Sequence, residues 1–343
     1  MINNSNDPFR SFFGRHIFKQ KYAHEGAETW PELANTLVHG VCDGLMSKSD
    51  ISQLIQFITE MKFIPGGRYL YYAGRENPFY NNCYLLKAEE DSREDWANLS
   101  WKSESCLMTG GGIGADYSVY RPSGTPIHKT GGVASGPIPK MEMINEIGRR
   151  VMQGGSRRSA IYASLNWRHG DIDEFLTVRD WDQYPIAGTD LTYKDVKQLD
   201  FNFPCPLDMT NISVNYDTAW LEAYKATGDY GEVFRKNVRQ ALKGAEPGFS
   251  FNFYEKENET LRNACTEVTS EDDSDVCNLG SLNFGRIETI EELTEVVRLA
   301  TKFLVCGTLK AKLPYDKVQA KKDLLTKKSP LRCSPLATRV LEN

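Results

Sequence analysis

Asn263-Ala264-Cys265-Thr266-Glu267 places a thiol and a carboxylate two residues apart. In extended chain, side chains alternate between faces, so Cys265 and Glu267 are expected to look into one cavity. A neighbouring carboxylate raises a thiol's pKa, and no histidine is near in sequence, which does not suit nucleophilic catalysis. The distant His169 is the candidate base if Cys265 is a nucleophile after all. A protonated thiol beside a general base suits hydrogen-atom transfer better. Two further cysteines, Cys83 in Asn81-Asn82-Cys83 and Cys277 in Asp275-Val276-Cys277-Asn278, occupy polar loop-to-strand contexts. Such thiols can work as a dithiol/disulfide couple if the fold brings them together. Three glycine-rich stretches, at 110–114, 131–137 and 154–158, could let backbone N–H groups converge on an anion. Arg157 and Arg158 could add charge-assisted bonds to phosphate. None of the three has the spacing of a P-loop or a Rossmann fingerprint.

The elements that must position these residues alternate in type. The first 65 residues are expected to be helical, with Ile51, Leu54, Ile55, Ile58 and Met61 on one face and Ser49 as N-cap. Pro65-Gly66-Gly67 ends that region. Strands are expected at 69–72, 83–86, 115–120, 161–165, 212–215 and 249–254. Helices are expected at 141–152, with Met143, Ile144, Ile147 and Val151 inward, and at 218–241, interrupted by Gly228 and Gly231. A last helix follows Thr289, where Thr289 and Glu292 form a capping-box pair. Its buried face is Leu293, Val296, Val297, Ala300, Phe303 and Leu304. Interleaved strands and helices indicate an α/β architecture.

Composition narrows the class. The chain has 343 residues, 40% hydrophobic and 25% charged, with a net charge of −5. That balance argues against a surface given over to nucleic acid. No apolar run approaches the ~20 residues of a membrane helix, and the N-terminus lacks a signal-peptide core, so a reducing cytoplasm is expected. The eight cysteines include no C-x-x-C pair, which argues against a local zinc site. From Lys310 onward there are nine Lys/Arg against three Asp/Glu, a basic tail expected to have neither a patterned helix nor a strand.

Taken together, FIPGGR (63–68), NNCYLL (81–86), GGGIGADYSVYRPSGTPI (110–127), GGVASGP (131–137), QGGSRRSA (153–160), HGDIDEFL (169–176), NISV (211–214), EPGFSF (246–251), NACTE (263–267) and CNLGSLN (277–283) resemble the catalytic subunit of ribonucleotide reductase. The style is most similar to adenosylcobalamin-dependent members, especially the short forms of bacterial viruses. The resemblance implies that Cys265 becomes a thiyl radical that takes the 3′ hydrogen of a ribonucleotide. Glu267 is then the general base on the 3′ hydroxyl, and Asn263 orients the ribose. Cys83 and Cys277 supply reducing equivalents and become a disulfide, which thioredoxin or glutaredoxin regenerates. Asn82 and the backbone of Gly112 line the substrate site, and Asp91 and Arg121 read a deoxynucleotide effector.

The implied fold is a helical N-terminal layer (1–65), then the first half of a ten-stranded α/β barrel with the cysteine finger loop (66–318), then a basic tail outside the resemblance (319–343). The implied radical source is adenosylcobalamin, or alternatively a separate dimetal subunit; no metal ligands are assigned in this chain. The substrate is a ribonucleoside di- or triphosphate, and a homodimer is expected. Past Val318 the family's second half-barrel does not follow, which leads to the expectation of a fragment or of a split enzyme completed by a second chain. The competing reading is a non-catalytic nucleotide-binding or dimerisation module; a basic-tailed nucleic-acid binder is a third.

Overall fold

A computed structural model of the chain describes residues 8–9, 11–128, 131–151, 159–253, 260–328 and 336–341. In chain order these form α1 (Phe12–Lys21), α2 (Trp30–Cys42), α3 (Lys48–Thr59), β1 (Phe63–Pro65), α4 (Gly67–Tyr72), β2 (Cys83–Lys87), α5 (Arg93–Met108), β3 (Gly112–Asp116), α6 (Pro137–Arg150), β4 (Ile161–Asn166), α7 (Ile172–Thr177), α8 (Tyr193–Leu199), β5 (Thr210–Asp217), α9 (Thr218–Thr227), α10 (Glu232–Gly244), β6 (Gly248–Asn252), β7 (Leu261–Arg262), β8 (Thr269–Ser270), β9 (Asp275–Asn283), α11 (Ile290–Lys310), α12 (Asp316–Lys328) and β10 (Leu336–Leu341). They fall into two compact units: Met1–Cys83, Thr109–Gly111 and Val276–Asn343, and Tyr84–Met108 with Gly112–Asp275. Among the described residues no helix is long and apolar enough to cross a membrane.

In the first unit, α2, α3 and α11 pack on one another around Leu33, Leu37, Leu54, Ile58, Val296, Leu299 and Phe303. Thr29 and Glu32 form a full capping box at the start of α2, and the Trp30 indole N–H donates to the Ile58 carbonyl. Strand β1 runs antiparallel to β9, with Phe63 opposite Leu282. The N-cap of α3 is Ser47, not Ser49, because its hydroxyl is the one in reach of the Asp50 amide. Residues 69–72 are helix, not strand. Gly66 turns the chain out of β1, and Arg68 is buried with its guanidinium on the Thr109 carbonyl, so tertiary anchoring overrides the β preference of Tyr-Leu-Tyr-Tyr. At Thr289 only half of the expected capping box forms. Its hydroxyl takes the Glu292 amide, while the Glu292 carboxylate accepts from the Glu288 amide. Val297 is exposed on α11, although its neighbours Val296 and Ala300 are buried.

The basic tail also differs from expectation. Helix α12 runs to Lys328, and β10 lies parallel to β9. Lys, Gln, Ala and Leu are strong helix formers, so a helix forms here without a clear apolar stripe. Lys322 from α12 donates to the Leu309 and Ala311 carbonyls at the end of α11.

In the second unit β3, β4, β5 and β6 form a parallel sheet, with Gly114 opposite Tyr162, Ser164 opposite Ser213 and Asn215 opposite Ser250. Strand alternation sorts the faces. Ile113, Ala115, Ile161, Ala163, Leu165, Ile212 and Val214 share one face, where α6 and α7 pack on β4 and α9 on β5. Tyr162, Ser164, Ser213, Asn215, Ser250 and Asn252 share the other, and all six are buried. A parallel sheet usually buries apolar residues on both faces; this one keeps one face polar. On α6 Met143 is exposed, not inward, and Ile138, Met141 and Ile144 carry the packing. Gly228 takes a left-handed conformation (φ +70°) that ends α9.

Candidate active site

The Cys265 segment is the tip of a hairpin. Strands β7 and β8 pair antiparallel, with Leu261 opposite Ser270 and Arg262 opposite Thr269. The tip is a tight turn rather than the extended chain expected. The Thr266 amide donates to the Asn263 carbonyl at 3.0 Å, and Thr266 adopts φ +69°, because six residues must close the hairpin. Cys265, Thr266 and Glu267 are exposed, while Asn263, Ala264 and Val268 are buried. The Asn263 side-chain oxygen accepts from the Val268 amide at 3.2 Å. Its Nδ2 is buried with no hydrogen-bond partner, an unspent donor at the base of the tip.

Two features fix this hairpin on the polar face. Arg262 reaches β6, donating to the Ser250 hydroxyl at 2.7 Å, the Asn252 side chain at 3.0 Å and the Phe251 carbonyl at 3.2 Å. The glycines of β3 let the backbone lie close. A Cβ on Gly114 would sit 1.9 Å from the Arg262 carbonyl oxygen, and one on Gly112 would sit 2.8 Å from the Ala264 Cβ. Around them the polar face is cross-linked: Asn215 donates to Ser164 at 3.0 Å, and Asn252 to Ser250 at 3.2 Å. At the end of β3, burial pushes the Asp116 carboxyl up, against the hydrogen bonds it accepts from Ser118.

The other two expected thiols belong to the first unit. Cys83 is 5% exposed and Cys277 1%. Their segments are joined, since the Asn82 amide donates to the Cys277 carbonyl at 2.9 Å. Beside that bond, buried Asn81 donates to the Asn278 side-chain oxygen at 2.9 Å, and Asn278 in turn donates to Thr308 on α11. Asn82 keeps a buried side-chain oxygen without a partner. A Cβ on Gly66 would strike that side chain and the Leu279 carbonyl.

Asp91 and Arg121, the expected effector readers, meet as an ion pair at 2.5 Å in the second unit. His169 is not a partner for Cys265. One ring nitrogen lies 2.7 Å from the Tyr120 carbonyl and the other accepts from the Asp171 amide, which fixes the Nε2–H tautomer and commits both nitrogens. Of the glycine-rich stretches, 131–136 makes a turn, with positive φ at Gly131, Gly132 and Gly136 before α6. Arg157 and Arg158 lie outside the described residues. Arg262 and Thr308 were not singled out from the sequence, and Gly114, Asn81 and Asn278 lie inside its motifs without the contacts described here. Arg262, next to the Asn263–Glu267 segment, offered a local signal, whereas Thr308 offered none.

A family model described as ribonucleotide reductase, barrel domain, matches residues 81–326, which hold the hairpin, the polar-faced sheet and both buried thiols. The chain belongs to the ribonucleotide reductase family. Among relatives, a vitamin B12-dependent ribonucleoside-diphosphate reductase of Mycobacterium tuberculosis is 26% identical over 277 residues, covering 72% of this chain and 37% of that protein. The ribonucleoside-diphosphate reductase large subunit of Danio rerio is 27% identical over 332 residues, covering 86% of this chain and 42% of that protein. The chain thus spans well under half the length of these relatives. Among solved structures, the Actinobacillus ureae class Id ribonucleotide reductase alpha subunit matches with a TM-score of 0.69 at 18% identity, over 96% of this chain and 59% of that one. That likeness carries the fold: a helical N-terminal region and a half-barrel of ribonucleotide reductase type.

Proposed function

We propose that this chain supplies the radical-bearing half of an enzyme that reduces ribonucleoside di- or triphosphates to 2′-deoxyribonucleotides. The observation that carries the reading is the hairpin tip. Cys265 and Glu267 are exposed on it, and Asn263 holds a buried, unspent N–H donor below them.

In this reading the Cys265 thiyl takes the 3′ hydrogen of the ribose. Glu267 accepts the 3′-hydroxyl proton, and Asn263 Nδ2 donates to a ribose hydroxyl. The 2′ hydroxyl leaves as water, and the two electrons of the reduction come from Cys83 and Cys277, which end as a disulfide. Thioredoxin or glutaredoxin then returns them to dithiols. Asn82, with its unpartnered oxygen, and Gly112 belong to substrate binding, and Asp91 with Arg121 to effector reading.

An exposed sulfur on a hairpin tip fits a radical source that approaches from outside the chain's own core. When bound, adenosylcobalamin supplies the one-electron oxidation of that thiol. Likeness to the vitamin B12-dependent relative favours this source. A separate dimetal subunit is the second reading, favoured by likeness to the zebrafish large subunit. The short viral form, a cytoplasmic location, a homodimer and a second chain bearing the other half-barrel complete the proposal.

The test is to mix the chain with a purified complementary half-barrel chain, adenosylcobalamin, dithiothreitol and each ribonucleoside di- and triphosphate, and to quantify deoxynucleotide by chromatography. Product that vanishes with Cys265→Ser supports the reading. An inert complete mixture with both radical sources overturns it.

A further inference from the structure

The Cys265 hairpin has two roots, and each is held by a different part of the second unit. Arg262 ties the entry root to β6. The exit root, residues 271–274, is tied by Asp273. Its Oδ2 lies 2.9 Å from the Lys102 ammonium of α5, and the two side chains are only 3% and 4% exposed. Its Oδ1 accepts from the Lys87 amide at the end of β2 at 2.8 Å, and the Ser274 hydroxyl donates to Oδ2 at 2.8 Å. Lys87 adds a second bond, its ammonium donating to the Glu271 carbonyl at 3.2 Å. One buried carboxylate thus gathers a helix, a strand and the hairpin's own return.

The backbone at this root is held in a conformation it would not choose. Ser274 adopts φ +66°, a left-handed conformation that serine disfavours. Its amide donates to the Leu85 carbonyl at 2.9 Å, so bonds to β2 and to Asp273 maintain the strain. Helix α5 is a fixed post for the other side of the ion pair. The Tyr120 hydroxyl donates to Asp95 at 2.9 Å, and Lys140 of α6 donates to the Trp96 carbonyl and the Ser100 hydroxyl. A buried ion pair is weak evidence for stability, and its best-attested use is to fix register. The register fixed here is that of the hairpin's exit arm, which Glu267 begins.

We propose that Asp273, paired with Lys102, is a positioning residue for the proposed reaction: it fixes the exit arm so that Glu267 keeps its place relative to Cys265. This rests on the reading that Cys265 and Glu267 do the chemistry. With both roots pinned, the tip cannot swing. With the exit root released, the hairpin pivots on Arg262, and the thiol and the carboxylate, on either side of Thr266, lose their alignment. Asp273 is buried and touches no substrate, so its loss acts on turnover rather than on binding.

The experiment is hydrogen exchange, resolved to single amides, on the full chain as wild type and as Asp273→Asn. Asparagine keeps the shape and an acceptor for the Lys87 amide but leaves the Lys102 ammonium without its counter-charge. The expected result is exchange over residues 268–274 faster by about tenfold or more, with β4 and β5 as protected as in the wild type. A merely structural role would speed exchange at the root, in β4 and in β5 by one common factor; that result overturns the proposal, as does an unchanged root. In the mixture with the complementary half-barrel chain, Asp273→Asn should lower kcat by roughly ten- to a hundredfold and leave the ribonucleotide KM in place. A raised KM at unchanged kcat overturns the proposal. Should Asp273→Asn fail to fold, the wild type decides: the Lys87 and Ser274 amides must exchange as slowly as those of β4, and fast exchange there overturns the proposal. An inert wild-type mixture counts against the proposed reaction, while the exchange data decide the role of Asp273 in holding the hairpin.

Discussion

Cys265 and the Cys83/Cys277 pair differ first in access. Cys265 stands exposed on the hairpin tip, while the other two are buried in the first unit. A buried thiol reacts only when its surroundings open, so brief treatment of the native chain with iodoacetamide should label Cys265 faster than Cys277 by roughly a hundredfold. Peptide mapping of a short time course checks this; equal labelling would mean that the tip is covered. Asp208 governs a different property. Burial pushes its carboxyl up, but hydrogen bonds from Arg149, Lys197 and Asn145 outweigh that and hold it at about 2. A depressed carboxylate pKa stabilises the fold at pH values above the ordinary range near 4. That contribution is lost as pH falls through about 2. Asp208→Asn should therefore cost on the order of 1–3 kcal/mol at pH 7 and flatten the dependence of stability on pH between about 4 and 2. Urea unfolding at several pH values measures both effects.

At the scale of elements, the hairpin and β3 are a matched pair. Gly114→Ala places a methyl against the Arg262 carbonyl, which is backbone and cannot swing away. The expected cost is about 1–3 kcal/mol of stability, with faster hydrogen exchange at Val268 as the tip lifts. An unchanged urea midpoint and unchanged exchange would contradict the packing described. Local patterns made much of this architecture legible. Strands β4 and β5 and helix α11 follow from apolar spacing, because their partners are whole faces rather than single residues. The pattern misled where one distant contact decides the outcome. Residues 69–72 have the aromatic-rich composition of a strand but are held helical by the Arg68 anchor. The same limit hid the site's supports. Asn263, Cys265 and Glu267 stand out by type and spacing, whereas Asn81 and Asn278 matter only through a hydrogen bond between segments far apart in sequence.

At the scale of the whole molecule, the chain covers 37% and 42% of two relatives that share its barrel. The purified chain alone, given adenosylcobalamin, a dithiol and ribonucleotides, is therefore expected to form no deoxynucleotide. A chromatographic assay checks this, and measurable product would show that one half-barrel suffices. Across β3 the hairpin lies at backbone contact, with no side chain between, so the height of Cys265 above the sheet is set by missing atoms. A spacer made of nothing cannot be tuned in small steps. Every replacement at position 114 lifts the cysteine at once, whereas the exposed Thr266 beside it has only to keep its left-handed backbone, which glycine or asparagine adopts more readily than threonine. Selection acting on this loop should thus leave one silent, unforgiving position next to a permissive one, a contrast that a saturation library across 112–114 and 263–267 would display directly.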